Sequence, residues 1–404
     1  MNKSAMPGVA RRPQASKHRS RRRKWLIPLT LALFATLLAG CGAQVPPYWP
    51  DLSVDGDTVY VTNGRFFALK ADTGDAMWAY PAVEQQSGGL LSGCSAPKIT
   101  DGPFIAAPVV QDELIFLGSG GEIQRSLWGK GENMAGLRAL NKLGTLQWRF
   151  EGATGSTIAA PALAGTTVYL PSSDHNVYAV DLETRQARWV FQTGNWVWAT
   201  PLILEGTAYI ASMDHVLYAV DDQTGGARWQ FDRSSSALPA APAFDGGVLY
   251  LGALGGTMYA IEAQSGELAW EQKVDGGVWA TPIIVNGVLY FGTLKGAIYA
   301  LRTTDGTQVW TKNVEGEVRG TPAYVNGTLY FGCENGRLYA FDAQNGDELM
   351  SPLGMQLEKA SIYTSPVFDG TYLYVVSTSG EVFALDVERN AIVWQNNPLA
   401  DQEE

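Results

Sequence analysis

The stretch VWATPIIVNGVLYFGTLKGAIYALRTTDGTQVWTKNVEG, Val278–Gly316, reads as four short strands joined by turns. Trp279 to Val285 is apolar around Pro282, and Asn286-Gly287 follows as a hairpin turn. Val288 to Thr293 forms a second strand, closed by Leu294-Lys295-Gly296. Ala297 to Arg302 forms a third, and Thr303 to Gly306 turns the chain again. Thr307 to Val314, with Trp310, is the fourth. The runs are β-branched and aromatic, and the breaks carry Gly, Asn and Asp. One such meander cannot cover both of its faces alone.

The rest of the chain supplies copies that can. Related segments end at Trp78, Trp148, Trp189, Trp229, Trp270, Trp310, Met350 and Trp394, and from Trp148 to Met350 the steps are 41, 40, 41, 40 and 40 residues. Prolines in the first strands keep the same beat: Pro161, Pro201, Pro242, Pro282 and Pro322, with Pro108 and Pro366 flanking. A period of about 40 with four strands per unit marks propeller blades. Eight repeats begin near Tyr48, Phe104, Ile158, Trp198, Pro239, Trp279, Arg319 and Tyr363. The expected fold is all-β, an eight-bladed β-propeller of four-stranded antiparallel blades over residues 48–398, with an acidic tail at 399–404.

Physical roles follow for the repeated residues. Gly74, Gly225, Gly266, Gly306 and Gly346 supply positive φ at the third turn. The Trp four residues later has a large apolar body and an N–H that needs a partner. Trp78, Trp148, Trp189, Trp229, Trp270, Trp310 and Trp394 are therefore expected to wedge between blades and donate to backbone there. Small residues before each Pro (Ala160, Thr200, Ala241, Thr281, Thr321, Ser365) suit a crowded innermost strand.

The 404 residues are 46% hydrophobic, ample for a large core, and the repeat overrides any length-based count of separate domains. The formal charge of −11 is unevenly placed: residues 1–40 hold nine Lys or Arg and no acid, leaving 20 basic against 40 acidic side chains, a net of −20. Such a body disfavours nucleic acid and naked anionic membrane and favours basic or neutral partners.

Residues 1–40 read as a lipoprotein signal peptide. Arg19 to Lys24 is a basic n-region and Trp25 to Leu37 a short apolar h-region. Leu38-Ala39-Gly40-Cys41 then matches a bacterial lipobox, so Cys41 is the expected lipidation site and 41–47 a lipidated linker. Lipidation would anchor a soluble body to a membrane surface. Gly42 is not Asp, which by resemblance to the known sorting pattern favours the outer membrane in a two-membrane bacterium; in a one-membrane bacterium the same signal means the cell surface. Two cysteines remain, Cys94 and Cys333. An exported location permits a disulfide between them, and two unbridged thiols is the other reading.

The repeats resemble the quinoprotein-type, pyrroloquinoline-quinone-like propeller family, whose docking motif is roughly A-x-D-x-x-T-G-x-x-x-W. Ala219 to Trp229 fits it fully, the copies ending at Trp78, Trp189, Trp270 and Trp310 fit in part, and the copy ending at Met350 has lost its Trp. The resemblance spans about Tyr48 to Pro398. In size, blade count and lipobox the chain is most similar to the BamB-like outer-membrane assembly lipoproteins, a non-catalytic branch. The resemblance implies a monomeric, extracytoplasmic, membrane-anchored scaffold whose partners are other envelope proteins.

The enzyme branch of that family uses a vicinal Cys-Cys pair over its quinone, a catalytic Asp, and Glu, Asn and Asp on calcium. This chain has no Cys-Cys pair. Calcium needs six to eight converging oxygens, whereas Asp181, Asp221, Asp342 and Asp386 are spread around the ring at turns. No catalytic residues, quinone, calcium or other metal are therefore expected. A quinone-dependent dehydrogenase and a surface receptor for glycans or small aromatics are the alternative functions. Of three histidines, His175 and His215 occupy equivalent Asp-His pairs, Asp174-His175 and Asp214-His215, which read as copied turn residues rather than metal ligands.

Strand counting isolates one face. In a four-stranded blade the second-to-third turn and the connection to the next blade lie on the same side. Two insertions, about Tyr80 to Pro103 and Ser119 to Gly136, therefore emerge on one face, side by side. Long loops on a rigid scaffold are where function concentrates. The residue about three before each first-strand Pro should ring the channel mouth on that face: Tyr48, Ile105, Ile158, Trp198, Pro239, Trp279, Arg319 and Tyr363. Tyr48, Trp198, Trp279, Arg319 and Tyr363 are the candidate binding residues, since rigid aromatics with an Arg are typical anchors. The other account is that large side chains plug the axis.

Overall fold

A computed structural model describes residues 50–81, 101–120, 135–349 and 360–400. Cys41, Tyr48, Cys94, Met350 and most of both insertions lie outside the described residues. Among those described, no helix is long and apolar enough to cross a membrane.

Eight four-stranded sheets follow one another along the chain. In each, the strands pair in sequence order and antiparallel, as in Ile283–Val285, Val288–Gly292, Ala297–Arg302 and Gln308–Asn313. The eighth blade is likewise contiguous, Val367–Phe368 to Ala391–Asn396. Among the described residues, no blade borrows a strand from the other end of the chain. The hairpin turn expected at Asn286-Gly287 is present, with φ of 50° and 75°, the paired positive values of a type I′ turn.

The short first strands lie innermost and meet their neighbours: Leu202–Leu204 packs beside Ala162–Ala164, and Ala243–Asp245 beside Ile283–Val285. Hydroxyls there tie one blade to the previous one. Thr200 Oγ1–H donates to Ala160 O (3.0 Å), Thr281 to Ala241 O (2.9 Å) and Thr321 to Thr281 O (3.0 Å). Small residues at this level thus do more than fit a crowded axis.

Hydrophobic burial is organised between blades rather than within them. Eight buried clusters occur, and each joins two adjacent blades. One unites Tyr209, Leu217 and Phe231 with Leu249, Leu251 and Tyr259. Another unites Val59, Phe67 and Leu69 with Tyr374, Val376 and Trp394, which closes the ring. A blade removed from its neighbours would expose both faces to water, as expected of a stacked repeat.

The motif residues sit at these interfaces. The motif Ala faces the Trp across the third and fourth strands, as in Ala219↔Trp229 and Ala300↔Trp310, and the register shifts just after each pair. Every indole N–H but one, among the seven Trp, donates to a carbonyl in the next blade. The acceptors are Lys142 for Trp78 (3.0 Å), Asp222 for Trp189 (2.9 Å), Ala263 for Trp229 (3.1 Å), Thr303 for Trp270 (2.9 Å), Ala343 for Trp310 (3.0 Å) and Ala71 for Trp394 (2.8 Å). The exception, Trp148, makes no such bond among the described residues; the Arg185 guanidinium lies 5.9 Å from its ring.

Candidate functional site

The connections between blades converge on the axis and enclose a cavity of about 470 Å³. Ile105, Ile158, Trp198, Pro239, Trp279, Arg319 and Tyr363 all line it, so the structure brings together every described member of the expected mouth ring. Their side chains meet. Trp198 and Trp279 reach past Pro239 to a ring separation of 6.1 Å. The Arg319 guanidinium lies 5.1 Å from the Trp279 ring and 4.9 Å from the Tyr363 ring. Large side chains crowd the mouth, and a space of small-ligand volume lies among them.

Two residues of this site escaped the sequence reading. Trp196 stacks on Trp198 at 5.2 Å and 17° while staying 44% exposed, so it extends the aromatic wall outward. Its equivalents in neighbouring connections are Ser156, Ala237, Gly277 and Glu317, and that outlying Trp was the available signal. The second is Asp51. Counted back from the first hairpin, it stands where other blades carry the small residue just before their first-strand Pro, such as Thr200, Thr281 and Thr321. Its carboxylate lines the cavity and accepts from Leu52 N (2.9 Å) and Ala107 N (3.2 Å). Burial of the carboxylate pushes its pKa up to about 6, with those two N–H bonds opposing the shift.

Charge around the mouth is mostly negative. Glu317 accepts from Arg319 Nε (2.7 Å) and Nη2 (2.5 Å). Glu334 accepts from the Tyr363 hydroxyl (3.2 Å) and Glu317 N (3.2 Å). Trp198 Nε1 is buried and has no hydrogen-bond partner among the described residues. That indole is held through its faces rather than its polar edge.

The sequence profile of the family described as outer membrane protein assembly factor BamB matches residues 46–192, 133–242 and 212–402. The chain belongs to this family. Two solved structures illustrate the shared fold. BamB from Moraxella catarrhalis aligns with a TM-score of 0.62 at 16% identity, covering 82% of this chain and 92% of that one. The computationally designed Ika8 protein aligns with a TM-score of 0.62 at 16% identity, covering 80% and 92%. None of the curated proteins matches the sequence significantly.

Elsewhere on this BamB-family propeller, the polar residues singled out in the sequence serve turns. Asp181, Asp221, Asp342 and Asp386 each accept two backbone N–H groups within their own third turn, as Asp342 does from Gln344 (2.9 Å) and Asn345 (3.1 Å). His175 and His215 have φ of 73° and 75°, where other blades place Gly256, Gly296 and Gly336. Asp214 accepts from Gly194 N (2.6 Å) and the Tyr218 hydroxyl (2.8 Å), which pins the Trp196 connection to the neighbouring turn. Asp174 does the same for Thr154 N (2.7 Å) and Tyr178 (2.8 Å). Burial opposes the charge on Asp174, but these bonds outweigh it and its pKa falls below the ordinary carboxylate value.

The described bases of the two insertions meet in a buried polar cluster. Asp101 Oδ2 accepts from Arg138 Nε (2.7 Å) and from the Tyr80 hydroxyl (2.8 Å), and Gly120 N donates to Pro103 O (2.8 Å). Arg65 Nη2 donates to Pro81 O (2.7 Å). Arg138 is fully buried. Cys333 is buried too, its Sγ donating to Glu315 O at 3.6 Å, and burial raises its pKa; Cys94, its expected partner, lies outside the described residues.

Proposed function

We propose that this protein is a non-catalytic, lipid-anchored scaffold of the cell envelope that binds other envelope proteins during outer-membrane protein assembly. The observation that carries the reading is the family match, which runs across the whole propeller from residue 46 to residue 402. The lipobox ending at Cys41 supports an anchored body outside the cytoplasm, with residues 1–40 removed on export. The connection face supports a docking role: it carries an exposed Trp196 and a ring of partly buried aromatics with an Arg, the side chains that most often anchor protein interfaces.

Two experiments test the two halves of this reading. Deleting the gene should lower the level of folded β-barrel proteins in the outer membrane, and the tagged protein should co-purify with the barrel-assembly core from solubilised envelopes. Unchanged barrel levels with no envelope protein retained would overturn the assembly role. For the anchor, labelled palmitate should enter the wild-type protein and be absent from Cys41→Ser. Equal labelling of the variant would remove Cys41 as the lipidation site.

A further inference from the structure

We propose that the axial cavity is a binding site for a small organic cation, a guanidinium or alkylammonium group, whose charge is met by Asp51 and whose stem lies against Trp198 and Trp279. This proposal does not rest on the assembly role. Its first support is size: about 470 Å³ falls within the range of small-ligand pockets. Its second is the wall. Trp198, Trp279 and Tyr363 line the cavity, with Trp196 stacked on Trp198, and aromatic rings attract cations through their quadrupoles. The protein already displays the mode, since the Arg319 guanidinium lies over both Trp279 and Tyr363.

Charge decides the sign of the ligand. Among the described lining residues the charged groups are Arg319, which is paired with Glu317, and Asp51, which has no ion pair, so one unpaired negative charge faces the cavity. An anion would meet repulsion on entry. Asp51 is the group that gains most from a cation. It is a part-buried carboxylate with two backbone donors and, among the described residues, no ion pair. A carboxylate has about four acceptor sites, so capacity for a charged donor is left over. Asp51→Asn removes the charge while keeping one of the two backbone acceptors, so it isolates the contribution of the charge.

The test titrates the full-length, detergent-solubilised protein with arginine amide at pH 8 and low salt, read by tryptophan fluorescence and calorimetry. Citrulline amide, the neutral isostere, is the control. Arginine amide should bind saturably and at least about tenfold more tightly than citrulline amide. Asp51→Asn should fold and lose that preference. Trp198→Phe, which removes no hydrogen bond, should weaken both ligands and provides the second variant if the first misfolds. Arg319 and Tyr363 also line the cavity, with Glu317 and Glu334 bonded to them. Affinity of the wild type should therefore fall between pH 8 and pH 5, and the fall should vanish in Asp51→Asn if Asp51 rather than either Glu is responsible. A blocked tripeptide with a central Arg distinguishes the source: tighter binding than arginine amide means a polypeptide side chain, weaker means a free small cation. Equal affinity for citrulline amide, no binding of either amide, or unchanged affinity in Asp51→Asn overturns the proposal.

Discussion

At the scale of single residues, the blade interface is a three-part lock of which the Trp is only one part. A Tyr in the second strand donates to the same carbonyl as the Trp: Tyr209 and Trp229 share Ala263 O, and Tyr290 and Trp310 share Ala343 O. Both lone pairs of that carbonyl are thereby used. The third part is the motif Gly of the next blade, on which the indole lies. A Cβ at Gly266 would stand 2.6 Å from the Trp229 ring, and at Gly306 2.7 Å from Trp270. The Gly is thus required twice, for φ of +75° at Gly266 and for contact with the neighbour's ring. Departures occur together. The second-to-third interface has Phe116 for Tyr and Arg185 for Gly, and there Trp148 makes no carbonyl bond among the described residues; in sequence, the seventh blade has Met350 at the motif Trp and the eighth has Asn390 at the motif Gly. Gly266→Ala should accordingly cost about 2–4 kcal/mol, the sum of left-handed strain and overpacking, whereas Gly246→Ala, with φ of +57° and open space, should cost only the strain. Equal losses in urea unfolding would refute the stacking role. Trp310→Phe should cost about 1 kcal/mol more than Trp148→Phe, the worth of one hydrogen bond. Asp51 gives a pH-dependent prediction. Its folded pKa, about 6, lies above the ordinary value of about 3.9. The charged form is therefore disfavoured by folding: stability is full below pH 4 and declines as pH rises to 6. Asp51→Asn should stabilise by about 1–2 kcal/mol at pH 8, a gain of about 3 kcal/mol offset by about 1 kcal/mol for a lost hydrogen bond, and the gain should close at pH 4.

At the scale of elements, the sequence exposed what repeats and hid what does not. Strands, turns and blade boundaries recur every 40 residues or so, and periodicity made each visible through its copies. The Tyr was legible in principle, since Tyr169, Tyr209, Tyr250, Tyr290 and Tyr374 each precede their Trp by 20 residues. The mouth ring was found because its members share one register. Asp51 and Trp196 were missed because each is an exception to its column, and a reading by repeats averages exceptions away. The cluster at the insertion bases was illegible for a further reason: Tyr80, Asp101 and Arg138 come from two blades, and none of them recurs. That cluster is a buried ion pair, and breaking one leaves a charge without its counter-ion. Asp101→Ala should cost about 3–5 kcal/mol because Arg138 would stay buried. Tyr80→Phe removes one hydrogen bond and should cost only about 0.5–1.5 kcal/mol. Chemical denaturation of the two variants checks the difference, and similar losses would mean that the charge is not what the cluster holds in place.

At the scale of the molecule, the question is how a ring closes when no blade shares strands between the chain ends. The first blade is built from residues Asp51–Asp55 onward and the eighth ends at Asn396, each a complete sheet of its own. Among the described residues, closure is made by side chains of the eighth blade that pack on the first and donate to its backbone carbonyls. Trp394 Nε1–H donates to Ala71 O (2.8 Å), the Tyr374 hydroxyl reaches the same oxygen (3.2 Å), and Asn396 Nδ2 donates to Gly74 O (2.6 Å). Behind them lies a buried cluster like those at the other seven interfaces. The closing seam is thus an ordinary blade interface placed across the ends of the chain. Its energetic meaning differs, however. Breaking any other interface leaves two blades still joined by the chain, while breaking this one turns a ring into a linear array. Linear arrays fray from their ends, because a terminal repeat has one neighbour instead of two. Trp394→Ala should cost about 3–5 kcal/mol locally, as for a large buried aromatic, and Trp310→Ala about the same. The two should part in cooperativity. Trp310→Ala should keep a single urea transition, lowered in midpoint. Trp394→Ala should broaden it and release protection from amide exchange first in the first and eighth blades, as expected when sub-global opening becomes accessible. Equal sharpness in both variants, with exchange rising evenly around the ring, would show that the seam carries no more of the fold's cooperativity than any other interface.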